Sequence, residues 1–426
     1  MLTRLRQSRA ARIVVRRVGV HRVTLALGLI QLPAIRATEL VLARIARDRH
    51  LVVLGAPLDR FSDNAAYLYV YLSEKQGPLR PVWISGSSQI VERLRARGYR
   101  AETRWSWRGV LACLRAGTFV YSSYRSDINR WLSPGAATLC LWHGLPIKRV
   151  EASAGSSTSR RKSWFERLIE AGREAPPDYL LTSSDFVTEA FSHAFAVPPE
   201  RCWEHGYPRN DHLVADPHNP PAALLWHQDE RDRMLSARFT VGLFLTWRDE
   251  KVDDAVDAEL VRRLAETCGR HGGVLAYKAH YNVAPTAVLT DDCVLLPPDA
   301  DLHAYLGYCD VLVTDYSSVA LDFLLMRRPV VYFMPDMEHY AATRGFQVDP
   351  LTLPGVVTRE PEALLGALDG ILADSTSWSW KAADDTFLRM MWGDYTGSAG
   401  EAIESSLLAS ADHSGLTRTE ATSPER

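Results

Sequence analysis

The sequence predicts an α/β protein of two doubly wound halves that face each other across a cleft. Two observations carry this. Between His50 and about residue 212, apolar runs of strand length alternate with segments of helical apolar spacing. That alternation builds a parallel sheet with helices on both faces. After a Pro-bearing stretch the same alternation starts again at Phe239, and 426 residues are enough chain for two such cores. Ligands of doubly wound sheets sit at the carboxyl ends of the strands, so two facing sheets enclose a cleft.

The elements follow in order. "HLVVLGAP" (50–57) reads as a buried strand ending in a Gly-Pro turn, and "NAAYLYVYLSEK" (64–75) as a helix. "LRPVWISGS" (79–87) and "QIVERLRARGY" (89–99) repeat strand and helix; "GVLACLRAGTFVYSS" (109–123) is helix then strand, and "ATLCLWHGLPIK" (137–148) strand then loop. The Ser- and Arg-rich stretch at 152–163 reads as a mobile loop. "DYLLTSSDFVTEAFSHAF" (178–195) is a strand and a helix capped by Ser184 or Asp185, and "GYPRND" (206–211) closes the half. In the second half, strands are predicted at 239–247, 273–280, 293–298, 311–313 and 328–336, with helices through 257–272, 301–309 and the residues after Ser318. The predicted organisation is therefore an arm at 1–49, a first half at 50–212, a linker at 213–237, a second half with a closing helix at 238–408, and a Ser/Thr/Glu-rich disordered tail at 409–426.

Charge is unevenly spread. Eleven arginines against Glu39 and Asp48 give the first 49 residues a net charge of +9, which leaves −11 on the rest of a chain whose total is −2. The total gives no reason to expect nucleic acid as a partner. Within the arm, "VGVHRVTLALGLIQLPAI" (18–35) is broken by Arg22 and stops at Pro33, which is short for a membrane span of about 20 apolar residues. A basic, partly amphipathic arm suits an anionic membrane surface, at about 1 kcal/mol per basic residue near the lipid; the rival readings are a helix packed on its own protein, or a disordered arm. The six cysteines are scattered with no C-x-x-C, the pattern of reduced, mostly buried thiols.

Four polar groups stand directly after apolar strands: His143-Gly144, Arg248-Asp249, Lys278 with His280, and Asp315 with Ser317-Ser318. Doubly wound sheets bring such ends together. Ser317 and Ser318 lie where a helix begins; hydroxyls there either cap the helix, worth about 1 kcal/mol, or join its free N–H groups in holding a phosphate. Two polar residues exceed what a cap needs, which favours phosphate. His143 is a general base or a core histidine bonded to a carbonyl, and Gly144 would let backbone approach a ligand. Lys278 and His280 point to one side of an extended strand, as suits a diphosphate. Arg248 and Arg344 are further anion-binding candidates. Asp299-Ala300-Asp301 matches D-x-D, but Asp301 reads as the cap of the helix at Leu302; no metal site and no cofactor is assigned, and a divalent-metal requirement stays open. There is no G-x-x-x-x-G-K-[ST], G-x-S-x-G or H-E-x-x-H.

"FSDNAAYLYVYL", "WHGLPIK", "TSSDFVTEAF…GYPRND", "LTWRDE", "DVLVTDYSSVALDFLLMRRPVVYFMPDMEHYAATRGF" and "LPG" together resemble the CDP-glycerol glycerophosphotransferase family of teichoic-acid primases and polymerases, in order from about Phe61 to Gly355. The resemblance implies a GT-B-like fold of two Rossmann-like domains with a membrane-associating N-terminal region. It also implies transfer of a polyol phosphate from a CDP-alcohol donor to a lipid-linked (prenyl-diphosphate) or polymer acceptor, releasing CMP, at the cytoplasmic face of the cell membrane. His143 matches the family's catalytic histidine of the His-Gly motif and His280 its second histidine, expected near the donor phosphates. Asp315, Ser317 and Ser318 match the donor-binding motif and Arg344 the Arg-Gly after it, with Gly144, Lys148 and Asp249 in support. The family's usual Arg-x-His-Pro is Lys278-Ala279-His280-Tyr281 here, which keeps the cation and loses the proline; the donor alcohol, glycerol or ribitol or another, is left open. On this reading His143 takes the proton of the acceptor hydroxyl as it attacks the β-phosphorus, and Lys278, His280, the serine-bearing helix start and Arg248 stabilise the phosphates. Two other readings compete: a GT-B glycosyltransferase using a nucleotide sugar, and a non-catalytic membrane-associated scaffold.

Overall fold

The structure, a computed structural model, describes residues 41–42, 44–149, 176–245, 257–278, 290–374 and 378–420, without side chains at 412–420. The basic arm up to residue 40, the 152–163 loop, Arg248, Asp249 and His280 lie outside the described residues.

The first half opens on β1 (Asp48–Gly55), α1 (Asp63–Lys75), β2 (Arg80–Ser85), α2 (Ser88–Ala96), β3 (Ala101–Thr103), α3 (Trp107–Arg115), β4 (Ala116–Tyr121) and β5 (Ala137–Cys140). It continues with β6 (Tyr179–Thr182), α4 (Asp185–Phe195), β7 (Cys202–Glu204) and α5 (Asp211–Ala215). After α6 (Gln228–Ser236) come β8 (Thr240–Phe244), α7 (Ala258–Arg270), β9 (Val274–Tyr277), β10 (Cys293–Leu295), α8 (Leu302–Leu306), β11 (Val311–Thr314), α9 (Val319–Leu324), β12 (Val330–Phe333), α10 (Met337–Thr343), β13 (Val356–Thr358) and α11 (Pro361–Ala373). Two closing helices follow, α12 (Ala382–Trp392) and α13 (Ala399–Glu420).

Every strand pair is parallel. Parallel strands are covered on both faces, so they read as unbroken apolar runs; Leu51–Leu54, Val311–Val313 and Val330–Phe333 are such runs, all buried. The first sheet has the order β3-β2-β1-β4-β5-β6-β7 and the second β10-β9-β8-β11-β12-β13. Both reverse direction beside their first strand, at β1/β4 and β8/β11, where doubly wound sheets bind ligands. The segment Asp315–Ser318 leaves the end of β11 at the second of these points.

Local signals set the helices. Ser87, Ser106, Ser184 and Asp257 each accept a backbone N–H of the first turn with their side chains, which fixes the starts of α2, α3, α4 and α7. Ser184 is thus the α4 cap, one of the two residues the sequence offered for that role.

The structure differs from the sequence reading at three places. The 213–237 stretch holds the end of α5 and all of α6 rather than a plain linker. The predicted disordered tail from 409 is instead the continuation of α13, which runs to Glu420. The reason lies far away in sequence: Asp211 accepts the N–H groups of Ala399 and Gly400 at 2.9 Å each and so caps the start of α13, and Ile403 and Leu407 are buried. Asp301 occupies the N-cap position of α8, but its carboxylate caps nothing and turns into a buried cluster described below.

Closing helix α13 packs on the first half, and α12 lies between the two halves. Ser183 Oγ and Ser184 Oγ donate to the carbonyls of Met391 (2.6 Å) and Met390 (2.7 Å) in α12. Trp392 is buried and its Nε1 donates to Leu321 O of α9 at 3.0 Å, so α12 touches both halves. One apolar cluster accordingly runs through the first half into the inner face of the second sheet.

Candidate active site

The carboxyl ends of the two sheets meet. His143 stands three residues beyond the end of β5, on a loop that lies against the second half: Ile147 O accepts the N–H groups of Gln347 (2.9 Å) and Val348 (3.3 Å), and Lys148 pairs with Phe346 in an isolated antiparallel bridge. The His-Gly-x-Pro-x-Lys stretch is thereby docked on the segment after Arg344, which is exposed at the end of α10. Arg149 N donates to Gly345 O at 3.3 Å, and Gly345 has the left-handed φ of +72° that its lack of a Cβ permits. Tyr316, inside the donor-motif segment, stacks on Tyr340 at 4.1 Å and packs with Phe346, tying that segment to the same junction.

Gly144 stands against Ser318 of the opposite half. A Cβ built on it would stand 2.3 Å from Ser318 Oγ and 3.1 Å from Ser318 Cβ. The sequence reading had this glycine admitting a ligand to the backbone; in the structure it admits the serine of the opposite half. Ser317 Oγ accepts Val319 N only at 3.5 Å, and Ser318 makes no side-chain cap bond to α9. Simple capping therefore does not account for these hydroxyls. Asp315 is buried at the end of β11.

The His143 imidazole is exposed at this junction. Its Nδ1 lies 3.1 Å from Ser123 Oγ, and the backbone of Ser122 also bonds to the ring. Ser123 follows β4 and is itself held, because Asp127 Oδ2 accepts its N–H at 2.9 Å and that of Tyr124 at 3.1 Å. Burial raises the Asp127 carboxyl to about 6, with those two N–H bonds and Arg104 opposing and Asp63 adding. Protein atoms crowd the remaining sides of the His143 ring, and this loss of water lowers its pKa below the ordinary imidazole value. Asp63 opposes the shift; Arg209 and Lys148 add to it. The ring is neutral at pH 7, the form a general base requires.

A buried charge cluster lies beneath His143. Arg209, 1% exposed, donates through Nη1 to Asp63 Oδ1 (2.6 Å) and His143 O (2.9 Å), and through Nη2 to Asp322 Oδ2 (2.8 Å). Asn210 Nδ2 donates to Asp322 Oδ1 at 2.6 Å, and His303 Nε2 lies 3.3 Å from Asp322 Oδ2, with its Nδ1 3.8 Å from Asp301. Burial and Arg209 press the His303 pKa down, but Asp301 and Asp322 outweigh them and it is raised. Lys278 donates to Ala300 O and faces Asp301. Its ammonium is turned into the protein, and burial lowers its pKa to about 8. Asp63, Asp301 and Asp322 thus meet Arg209, His303 and Lys278. Buried charges survive only when paired in this way, and removing one partner costs about 3–5 kcal/mol.

Among the described residues no group of three or more His, Cys, Asp or Glu is arranged to hold a metal ion. Of the predicted site residues, His143, Gly144, Lys148, Ser317, Ser318 and the Arg344 segment come together at the junction. Lys278 sits to one side in the charge cluster.

The family profile of CDP-Glycerol:Poly(glycerophosphate) glycerophosphotransferase matches residues 38–388. The chain belongs to this family. It is 28% identical over 375 residues to the teichoic acid glycerol-phosphate transferase of Staphylococcus aureus, covering 81% of this chain and 89% of that one. It is 27% identical over 336 residues to the teichoic acid poly(glycerol phosphate) polymerase of Bacillus subtilis, covering 73% of this chain but 42% of the polymerase. The chain therefore spans most of the first glycerophosphotransferase relative and under half of the second. Its fold is that of the wall teichoic acid polymerase TagF, with a TM-score of 0.70 at 22% identity over 93% of this chain and 99% of that one.

For this glycerophosphotransferase family member, sequence reasoning missed Ser123, Asp127, Asp63, Asn64, Arg209, Asn210, His303 and Asp322 as parts of the site. One signal was available. Asp322 interrupts the apolar helical run "VALDFLLM", and a charge on a buried face requires a partner.

Proposed function

We propose that this protein transfers glycerol phosphate from CDP-glycerol to a hydroxyl of a teichoic-acid-type acceptor carried on a prenyl diphosphate or a growing polymer, releasing CMP. The observation that carries the reading is the meeting of a neutral, exposed histidine with a serine-bearing strand end of the opposite sheet, on a chain of the glycerophosphotransferase family. His143 Nε2 accepts the proton of the acceptor hydroxyl. The hydroxyl oxygen bonds to the β-phosphorus of the donor, the bond from that phosphorus to the bridging oxygen breaks, and CMP leaves with the bridging oxygen. Ser123 fixes the imidazole through Nδ1. Asp315, Ser317 and Ser318 bind the donor, with Arg344 and Lys148 at the rim supplying positive charge; His280 and Arg248 complete the phosphate site in this proposal. Positioning and electrostatics are what phosphoryl transfer generally needs.

Purified protein offered CDP-glycerol, CDP-ribitol, and UDP- and GDP-sugars with a prenyl-diphosphate-linked acceptor is expected to release CMP from CDP-glycerol. Release of UDP or GDP instead would move it to the glycosyltransferases. Failure to bind any cytidine nucleotide would make it a scaffold.

We also place the protein at the cytoplasmic face of the membrane, held peripherally. No helix among the described residues is long and apolar enough to cross a bilayer. The +9 arm supports the peripheral reading, and so does α3. Trp105 and Trp107 are 65% and 70% exposed beside Arg108, and no acid occurs between Arg104 and Ser126. Exposed tryptophans among arginines suit a lipid interface. The protein should co-sediment with phosphatidylglycerol vesicles at low salt and be released at high salt. Trp105→Ala with Trp107→Ala should weaken the binding. Equal sedimentation with neutral vesicles would count against an electrostatic surface.

A further inference from the structure

The backbone that carries His143 is in an unusual conformation. Trp142, the preceding residue, has φ +53°, a left-handed value that side chains other than glycine rarely adopt. Asp63, on the neighbouring turn into α1, has φ +65°. Strained residues persist only where the surroundings over-determine them, and here the determinants are visible. Asn64 Nδ2 donates to Trp142 O at 3.0 Å, and Arg209 Nη1 donates to the next carbonyl, His143 O, at 2.9 Å. Two consecutive carbonyls are thus gripped by two fully buried side chains. The two grips are joined, since Arg209 N donates to Asn64 Oδ1 at 3.4 Å and Arg209 Nη1 to Asp63 Oδ1 at 2.6 Å.

The other end of the same guanidinium reaches across the junction. Its Nη2 pairs with Asp322 Oδ2 at 2.8 Å, and Asn210 holds the second oxygen of that carboxylate. Asp322 lies in α9, the helix that starts straight after Ser317 and Ser318. One cation therefore touches the backbone of the base in one half and the helix behind the donor motif in the other. A planar guanidinium with several fixed donors can do this at once; the point charge of a lysine cannot.

Resting on the proposed roles of His143 and the Ser317-Ser318 segment, we propose that Arg209 is a positioning residue: with Asn64 it fixes the Trp142–His143 backbone, and through Asp322 it sets the distance between the base and the donor-binding segment. It touches neither substrate nor reacting atoms. Displacing a catalytic group by about 1 Å costs on the order of 10² in rate, so the effect belongs in kcat and leaves donor affinity nearly alone.

The test is Arg209→Lys in the full chain, beside Asp322→Asn, which keeps the shape of the acid and one acceptor oxygen. Each is assayed for CMP release from CDP-glycerol, for CDP binding by calorimetry, and for the His143 imidazole titration by NMR. Arg209→Lys is expected to lower kcat by about 10² with the CDP dissociation constant within about threefold of the parent. Its His143 titration should move from the parent value, because the loop and the charge geometry around the ring have changed. Asp322→Asn should show the same split, smaller. If Arg209→Lys does not fold, Asp322→Asn alone decides. Unchanged kcat and an unmoved His143 titration in a folded variant would overturn the proposal, as would a loss confined to CDP affinity. If the parent protein releases no CMP from CDP-glycerol, the functional reading fails; the His143 titration still decides whether Arg209 positions the ring.

Discussion

His143→Ala is expected to fold like the parent and to lose about 10²–10⁴ in kcat, the usual worth of a general base. Folding is spared because the residue is exposed and its ring bonds only to the neighbouring Ser122–Ser123 turn; substitutions at such sites rarely shift stability by more than about 0.5 kcal/mol. The pH dependence separates a base from a mere contact. Crowding lowers the His143 pKa below 6.5, so the neutral base is present at pH 7 and is lost as pH falls through that lowered value. The parent should therefore show an acid limb in kcat/KM below pH 6.5, and the residual activity of His143→Ala should lack it. Asp127, raised to about 6, titrates in the same region and acts on His143 only through Ser123. Asp127→Asn is the control: if the acid limb survives in it, the limb belongs to His143. A folded His143→Ala protein with parental activity would move the base elsewhere.

Much of the fold was legible because parallel strands are buried on both faces. The runs at Leu51–Leu54, Val311–Val313 and Val330–Phe333 declare themselves without any knowledge of their partners. The three-residue strands β3 and β7 did not, since a segment that short carries no period. The length of α13 was also hidden. Its composition predicts disorder, while its start is fixed by Asp211, 188 residues earlier than Ala399. The site divides in the same way. Residues at strand ends, His143 and Ser317-Ser318 among them, were found from position alone. Arg209 and Asp322 are 113 residues apart and in different halves, so nothing local to either names the other. The purpose of Gly144 was visible only as closeness to something, and the structure supplies Ser318 as that neighbour.

Gly144→Ala is also expected to be costly, although it adds one carbon. The new Cβ would stand 2.3 Å from Ser318 Oγ, far inside contact distance. A rotation about the Ser318 side chain could carry the oxygen away, but Ser318 Cβ remains at 3.1 Å, fixed to the start of α9. Something in the backbone must then give. The loop on one side is tied to the second half by the bonds from Ile147 O to Gln347 and Val348, and the helix on the other by Asp322 to Arg209. The relief is a separation of the two halves by a few tenths of an ångström at the point where base and donor segment meet. Stability should change little, because the packed cores on either side are untouched. Activity should fall by about 10–10² from misalignment alone. Ser318→Gly in the same chain removes the opposing side chain, so Gly144→Ala/Ser318→Gly should lose no more activity than Ser318→Gly by itself. Thermal melting together with CMP release checks this. Losses that simply add in the double variant would mean that Gly144 serves some need other than the approach of Ser318.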